Sequence, residues 1–300
     1  DNWVNGEIDA SIFESGTGTK ADPYVIHNET QLRAFAGSMN EKIDYTEKYI
    51  VLDADINISS AEWTPIGGSD YAFNGSFDGQ EHTVAGMNIG TMISPHVMSA
   101  DDVYAGFFGV LNKDAVVSNL KLTGVSIFTS FPEASGIVGS IAAVTQGYTG
   151  EDRRGTVIDN CSASGMISHT SDNGNNYVGG IVGMQVRGAI INCKSEVQTS
   201  CEITKGSSIA EAGGIVGLLN RGLVANCVSL ESIYGSASRS NGDEGMAAVS
   251  NLAAVNAGAV VGCYASGAVT TEEYSVYAGM VSGWITGMGK AYNCWYDLET

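Results

Sequence analysis

The sequence has little positive charge and few prolines. Its 300 residues include 14 Lys and Arg against 33 Asp and Glu, a formal net charge of −19, and only 4 Pro. Nucleic acids and anionic membrane surfaces are bound by clustered basic side chains, so this deficit argues against both as the main partner. The sequence also lacks an apolar run near the roughly 20 residues that cross a bilayer, and we expect no membrane insertion.

Targeting signals are absent from the sequence as well. It begins at Asp1 without a signal-peptide pattern and ends at Thr300 without an anchoring motif, which is typical of a processed chain or an excised part. The acidic balance, with many Gly, Asn, Ser and Thr, is typical of exported proteins. We therefore expect an extracellular or cell-surface location, within a longer surface protein.

Common catalytic signatures are missing. The histidines His27, His82, His96 and His169 are scattered and form no His-Glu-x-x-His pair. Neither a Gly-x-Ser-x-Gly elbow nor a phosphate-binding glycine loop with Lys occurs in a strand-turn-helix context. The sequence therefore favours a non-enzymatic protein, although it leaves an enzyme open.

Two short signatures recur over residues 104–296. The tetrapeptide Gly-Ile-Val-Gly begins at Gly136, Gly180 and Gly214, and Gly106-Phe107-Phe108-Gly109 is an aromatic copy. A second signature, Asn-Cys in most units, follows each copy, and its cysteines recur every 31 to 36 residues: Cys161, Cys193, Cys227, Cys263 and Cys294. Repeats of this length cannot bury their apolar faces alone and indicate a stacked architecture.

Each unit contains three short β-type runs separated by turn residues, without a convincing helix. Stacked trios would place Ile on Ile, Val on Val and Cys on Cys, which predicts an all-β protein folded as a single-stranded right-handed parallel β-helix. The right hand is favoured because parallel crossovers are almost always right-handed. A β-propeller is the alternative, but it needs four strands per unit and a blade signature.

The Gly-Ile-Val-Gly tetrapeptide followed by Asn-Cys resembles the GLUG-type repeat of bacterial surface proteins. The resemblance covers about two thirds of the chain. It implies an adhesin-like right-handed β-helix, and it links the chain to regions that precede some immunoglobulin-cleaving metallopeptidase domains. The unit at residues 246–260 departs from the pattern, because it is rich in alanine.

The amino-terminal third lacks the repeat and resembles the segment that precedes such arrays. Asn28 is a good helix N-cap with Gln31 in the capping-box position, and apolar residues follow at helical spacing: Leu32, Phe35, Ala36 and Met39. We expect this short α-helix to cap the end of the stack. Residues 1–90 would form the cap and first coils, and residues 91–300 the repeats, continuous with the cap as one elongated domain.

Six cysteines in an exported protein raise the question of disulfides. Five occupy one repeat position, where side chains in parallel register point the same way, so the sequence favours a buried ladder of thiols. Zinc would need tetrahedral convergence, which such a file does not provide. Cys201 lies off this register and is the thiol expected at the surface.

The candidate binding residues are few. Insertions in repeats often build the binding face, and polar extensions recur at one point of the unit: residues 94–103, 130–135, 168–176, 204–211, 235–245 and 271–275. A separate insertion carries Tyr148, Arg153 and Arg154, and Arg187 and Arg221 each precede a glycine at one turn. These five residues are the predicted ligand contacts, against the simpler interpretation of pairing with turn carboxylates.

Asp53 and Asp55 stand two apart on one strand and are weak calcium candidates, with a solvated strand face as the simpler interpretation. No other cofactor is expected. The predicted function is a non-enzymatic, adhesin-like module that binds a host surface protein or glycan through its loops. The alternatives are a carbohydrate-active enzyme, either a polysaccharide lyase or a glycosidase, and a passive spacer.

Overall fold

The computed structural model describes residues 6–132, 134–148, 155–206, 208–237, 245–272 and 276–297. One 3-10 turn (Ala10–Ile12) and one α-helix, α1 (Glu29–Asn40), lie in the amino-terminal third. The helix occurs where its spacing predicts, and the Asn28 side chain accepts a hydrogen bond from the backbone N–H of Gln31 at 3.1 Å. No helix among the described residues is long and apolar enough to cross a membrane.

The strands in the first part of the chain are β1 (Tyr24–Ile26), β2 (Tyr49–Leu52), β3 (Ile56–Asn57), β4 (Ser76–Asp78), β5 (Thr83–Ala85), β6 (Asn88–Ile89), β7 (His96–Val97), β8 (Tyr104–Ala105), β9 (Phe108–Leu111), β10 (Val116–Ser118) and β11 (Lys121–Phe131). The middle part contains β12 (Ile137–Gly139), β13 (Ala142–Thr145), β14 (Val157–Asp159), β15 (Ser162–Ser171), β16 (Asn176–Gly179), β17 (Val182–Val186), β18 (Ala189–Ile191), β19 (Lys194–Ile203), β20 (Ile209–Gly213), β21 (Val216–Asn220) and β22 (Leu223–Ala225). The last part contains β23 (Val228–Ser229), β24 (Ile233–Ala237), β25 (Met246–Ser250), β26 (Ala253–Asn256), β27 (Ala259–Val261), β28 (Tyr264–Ala265), β29 (Val269–Thr271), β30 (Val276–Gly279), β31 (Ser282–Ile285), β32 (Lys290–Tyr292) and β33 (Trp295–Tyr296).

These strands pair in parallel into four sheets. Sheet 1 has nine strands in the order β1-β2-β4-β10-β14-β18-β22-β27-β32. Sheet 2 has twelve, with β3-β5-β11-β15-β19-β23-β28-β33 as its main path and β6, β7, β24 and β29 beside it. Sheet 3 is β8-β12-β16-β20-β25-β30, and sheet 4 is β9-β13-β17-β21-β26-β31. Within each repeat the chain visits sheets 3, 4, 1 and 2 in turn, and the core lies between them.

The predicted architecture, a single-stranded right-handed parallel β-helix with three strands per unit, is wrong. The described chain is organised as four parallel sheets, and each unit contributes a strand to all four. Residues 179–184 read as one strand in the sequence, but they contain the end of β16 and the start of β17. Gly179 permits this corner, because a Cβ there would lie 1.8 Å from the carbonyl oxygen of Val182.

The register also corrects the repeat. Gly139 pairs with Gly179, whereas Val182 pairs with Ala142, so Gly136-Ile137-Val138-Gly139 is displaced by four residues from Gly180-Ile181-Val182-Gly183. A Cβ on Gly139 would lie 2.3 Å from the carbonyl oxygen of Ala142. The alignment of the repeats is therefore set by the position that must be glycine at this corner, and the identity of the tetrapeptides does not set it.

The Asn-Cys signature forms the two-residue corner between sheets 1 and 2. The asparagines at this corner have φ angles between 49° and 55°, in the left-handed region that Asn tolerates and β-branched residues avoid: Asn119, which precedes Leu120, and Asn160, Asn192, Asn226 and Asn293, which precede cysteines. Gly262 takes the same place with φ of 63°. The cysteines that follow are buried except for Cys294, which is partly exposed, and all six cysteines of the chain are free thiols.

Cys201 was expected at the surface, and this is wrong. It lies on β19 between His169 and Gly235 in the ladder and is fully buried. The alternation of β19 continues through it, so the side chain faces the core. Burial raises its pKa well above the ordinary thiol value.

The amino-terminal segment packs on the first units through aromatic rings. Phe35 of α1 lies 5.9 Å from Phe73 and 6.2 Å from Phe77 between ring centroids, and Phe77 lies 5.6 Å from Phe108. These rings are fully buried. The apolar face of the helix therefore joins the same core as the repeats.

Candidate ligand-binding groove

The outer face of sheet 2 is the broadest regular surface, because β11, β15 and β19 are 11, 10 and 10 residues long. Side chains alternate along each strand, so every second residue faces outward. The parallel register places Phe128 of β11, Ser168 of β15, Ser200 of β19 and Tyr234 of β24 in one row across the sheet. A neighbouring row contains Met166 and Gln198. Residues from four units therefore meet on one face.

The loop of residues 91–95, between β6 and β7, borders this face. It contains a turn in which Thr91 N–H donates to the Ser94 carbonyl oxygen at 2.9 Å. Gly90 leads into it with φ of 65°, and a Cβ there would lie 2.3 Å from the Phe128 carbonyl oxygen. Met92 and Ile93 at its tip are 71 % and 98 % exposed. Such exposure of large apolar side chains is a feature of interaction sites.

His96 fixes the end of this loop. Its Nδ1 lies 2.9 Å from Glu62 Oε1, and its Nε2 lies 2.7 Å from Asp102 Oδ2. Burial alone lowers the pKa of His96, but the carboxylates of Asp102 and Glu62 outweigh it and raise the pKa above its ordinary value. The contacts of His96 with these two carboxylates tie the end of the loop to the neighbouring segments.

Between the loop and the sheet lies a groove of about 340 Å³. Its described lining combines apolar groups with hydroxyls and one amide, and it includes Met92, Phe128, Met166, Ser168, Gln198, Ser200 and Tyr234. None of the described lining residues is Asp, Glu, His, Cys, Lys or Arg. Burial raises the pKa of Tyr234, and its hydroxyl donates to Glu272 Oε1 at 3.1 Å. The groove is suited to stacking and neutral hydrogen bonds, and Tyr234 is the one titratable side chain in its described lining.

Cys201, His169 and Asn176 lie together inside the stack, and they resemble a Cys-His-Asn catalytic triad only in residue types. His169 Nδ1 lies 2.9 Å from Thr129 Oγ1, and His169 Nε2 lies 2.8 Å from Asn176 Oδ1. Cys201 is the ladder neighbour of His169. All three members are fully buried, and burial lowers the pKa of His169 to about 4. This network satisfies buried polar groups and has no access to a substrate.

The structure brings three of the five predicted ligand contacts to one corner, between sheets 4 and 1. Arg187 and Arg221 lie there with φ of 61° and 59°, and Gly147 lies directly beside the Arg187 backbone. The hydroxyl of neighbouring Tyr148 donates to Asp114 Oδ1 at 2.7 Å, and Lys113 Nζ lies 4.4 Å from its ring centroid. This corner is separate from the groove, and its ligand role stays a prediction.

Arg153 and Arg154 lie outside the described residues. Asp53 and Asp55 were expected on one strand, and this is wrong, because they lie in the connection between β2 and β3. Each approaches a different histidine: Asp53 Oδ1 is 2.8 Å from His27 Nδ1, and Asp55 Oδ1 is 3.3 Å from His82 Nδ1. A backbone hydrogen bond from Thr83 is the largest cause of the lowered pKa of Asp55. In the described part of the chain, no group of three or more His, Cys, Asp or Glu side chains is arranged to hold a metal.

Three groove residues, Pro95, Ser168 and Thr170, lie within the predicted polar extensions, but the rest of the groove was not predicted from the sequence. Phe128 and Tyr234 are 106 positions apart, and each occupies an ordinary outward place in an alternating strand. The signal in the sequence was the apolar pair Met92-Ile93 within a polar stretch. The predicted extension of residues 94–103 began just after this pair and so covered only the end of the loop. Strand register is needed to see that the rings share one row.

Comparison with known proteins gives a fold and two partial relatives. No family model matches the chain. It is 30 % identical over 158 residues to a candidate Gly-rich membrane protein of Evansella cellulosilytica, covering 52 % of this chain and 16 % of that protein. It is 27 % identical over 196 residues to halomucin of Haloquadratum walsbyi, covering 62 % and 2 %. The chain therefore spans less than a fifth of the curated relatives it matches.

Among solved structures, the chain is similar to a candidate immunoglobulin A1 protease from Bacteroides ovatus. The TM-score is 0.71 at 24 % identity, over 100 % of this chain and 83 % of the other. At this identity the likeness concerns the fold alone, and it agrees with the four-sheet layout described above.

Proposed function

We propose that this protein is a non-catalytic, adhesin-like binding module at the cell surface. The observation that carries the proposal is the groove on the outer face of sheet 2, which is bordered by exposed apolar side chains and has no carboxylate, imidazole, thiol or amine in its described lining. A long stack of parallel sheets keeps such a surface rigid, so little conformational entropy is lost when a ligand binds. The target is a host protein or glycan.

The surface location is supported by the names of the two relatives, one a candidate membrane protein and the other a halomucin. The GLUG-type assignment belongs to the same proposal, supported by the recurring Asn-Cys corner. A passive spacer is the second candidate, because the matched segment is a small share of two longer proteins.

A glycan and extracellular-matrix array, read with calcium and with chelator, tests this function. Reducing-sugar release should be followed on the same polysaccharides. Selective binding without sugar release is the expected result. Sugar release would overturn the non-catalytic assignment, and no binding on any surface would leave the spacer as the better account.

A further inference from the structure

We propose that the groove binds a neutral, extended oligosaccharide laid across β11, β15, β19 and β24, with Phe128 and Tyr234 as its two stacking platforms. This inference rests on the proposed function and specifies its ligand class and site. The supporting observations are the row of four side chains, the hydrogen-bonding floor and the absence of charge in the described lining.

The row provides two rings at a defined separation. Phe128 and Tyr234 stand three strand steps apart, with Ser168 and Ser200 between them. Adjacent strands are about 4.8 Å apart, so the two positions are separated by about 14 Å. The step between strands is close to the advance per residue of an extended pyranose chain. Successive sugars can therefore meet successive strands, with a ring under each end.

The floor between the rings offers hydrogen-bonding groups that the described protein does not use. Ser168, Ser200 and Gln198 face outward, and within the described part of the chain their side chains make no hydrogen bond. Sugar hydroxyls both donate and accept, as do serine hydroxyls and the glutamine amide. Met92 and Pro95 form the apolar wall beside this floor.

Charge and backbone pairing decide between ligand classes. The described lining has no cation, and the protein carries a net charge of −19, so an anionic polysaccharide would be repelled without a compensating partner. The central strands β15 and β19 are paired on both sides, so they have no free backbone edge for an extended peptide. A neutral saccharide needs neither cations nor a strand edge.

The test uses titration calorimetry with cellotetraose, chitotetraose and maltotetraose as neutral probes and tetragalacturonate as the anionic one. At least one neutral probe should bind, and tetragalacturonate should not. Removing either ring with Phe128→Ala or Tyr234→Ala should weaken binding about tenfold, the usual loss for an aromatic anchor. Tyr234→Phe should retain most of the affinity, because the ring remains.

Two arginine substitutions on the same strand face separate a loss of the binding site from a loss of the fold. Ser200→Arg places a large side chain on the floor and should abolish binding, while Ser164→Arg, on the same face but outside the described lining, should not change it. Tyr292→Ala removes an exposed ring on sheet 1 and serves as the aromatic control. Preference for tetragalacturonate, or no neutral probe bound, overturns the ligand class. If Ser200→Arg still binds on the array, the groove is not the binding site, although the proposed function stands. If the wild type binds nothing on the array, both the proposed site and the proposed function are wrong.

Discussion

Glu211 is the residue whose replacement we expect to raise stability most. It lies in β20 between Tyr177 and Ala248 in the ladder, and only 4 % of its surface is exposed. Its Oε2 has no hydrogen-bond partner among the described residues, and burial raises its pKa well above the ordinary value. A buried polar atom without a partner costs about 1–3 kcal/mol.

The cost of Glu211 must depend on pH in a defined direction. Below pH 4.5, its reference pKa, the carboxyl is protonated in both the folded and the unfolded chain. As the pH rises above that value the unfolded chain loses its proton first, so folding stability falls until the folded pKa is passed. The penalty is therefore greatest at neutral and alkaline pH.

Two substitutions separate the two parts of this penalty. Glu211→Met keeps the length without polar atoms and should stabilise the protein by about 1–3 kcal/mol at pH 8. At about 2–4 °C per kcal/mol for large domains, this is a rise of several degrees in Tm. Glu211→Gln removes only the ionisation, so its gain should be present at pH 8 and vanish at pH 4.

Urea and thermal unfolding at pH 4 and pH 8 provide the assay, with Glu196→Gln as the control. Glu196 is a more exposed carboxylate that pairs with Lys194 at 2.8 Å, and its loss should change stability by less than about 0.5 kcal/mol. A lower stability of Glu211→Met at pH 8, or equal gains of Glu211→Gln at both pH values, would refute the reasoning.

Three further predictions concern the interior and its corners. Burial lowers the pKa of His169 from 6.5 to about 4. The contribution of neutral His169 to the free energy of unfolding is therefore complete above pH 6.5, and about 3 kcal/mol of it is lost as the pH falls to 4. Urea unfolding across this range should show that the stability difference between the wild type and His169→Asn changes by about 3 kcal/mol in this direction, because Glu211 contributes equally to both proteins. Native-state labelling with iodoacetamide, read by mass spectrometry, should reach Cys294 before Cys201, and early labelling of Cys201 would contradict its buried place. Asn192→Ala should destabilise by about 1–2 kcal/mol because its φ is 55°, while Asn192→Gly should cost less, as calorimetry can check.

Local features of the fold could be predicted from the sequence. Asn28 and the apolar spacing after it located α1, because capping and helical periodicity act within a few residues. The Asn-Cys pairs gave the length of the repeat, but residues 189–193 were expected to form one strand, and the corner at Asn192 and Cys193 was shown only by the structure. The repeat length showed that units had to stack.

Register and the number of sheets were decided only by the tertiary structure. Gly136 and Gly180 begin identical tetrapeptides, yet the corner that tolerates no Cβ selects Gly139 as the partner of Gly179. The same corner divides one apparent strand into two and gives each unit its fourth strand. Phe128 and Tyr234 become members of one row only after four strands align. A sequence pattern records which side of a strand a residue takes, whereas close backbone approach between distant segments decides which residues become its neighbours.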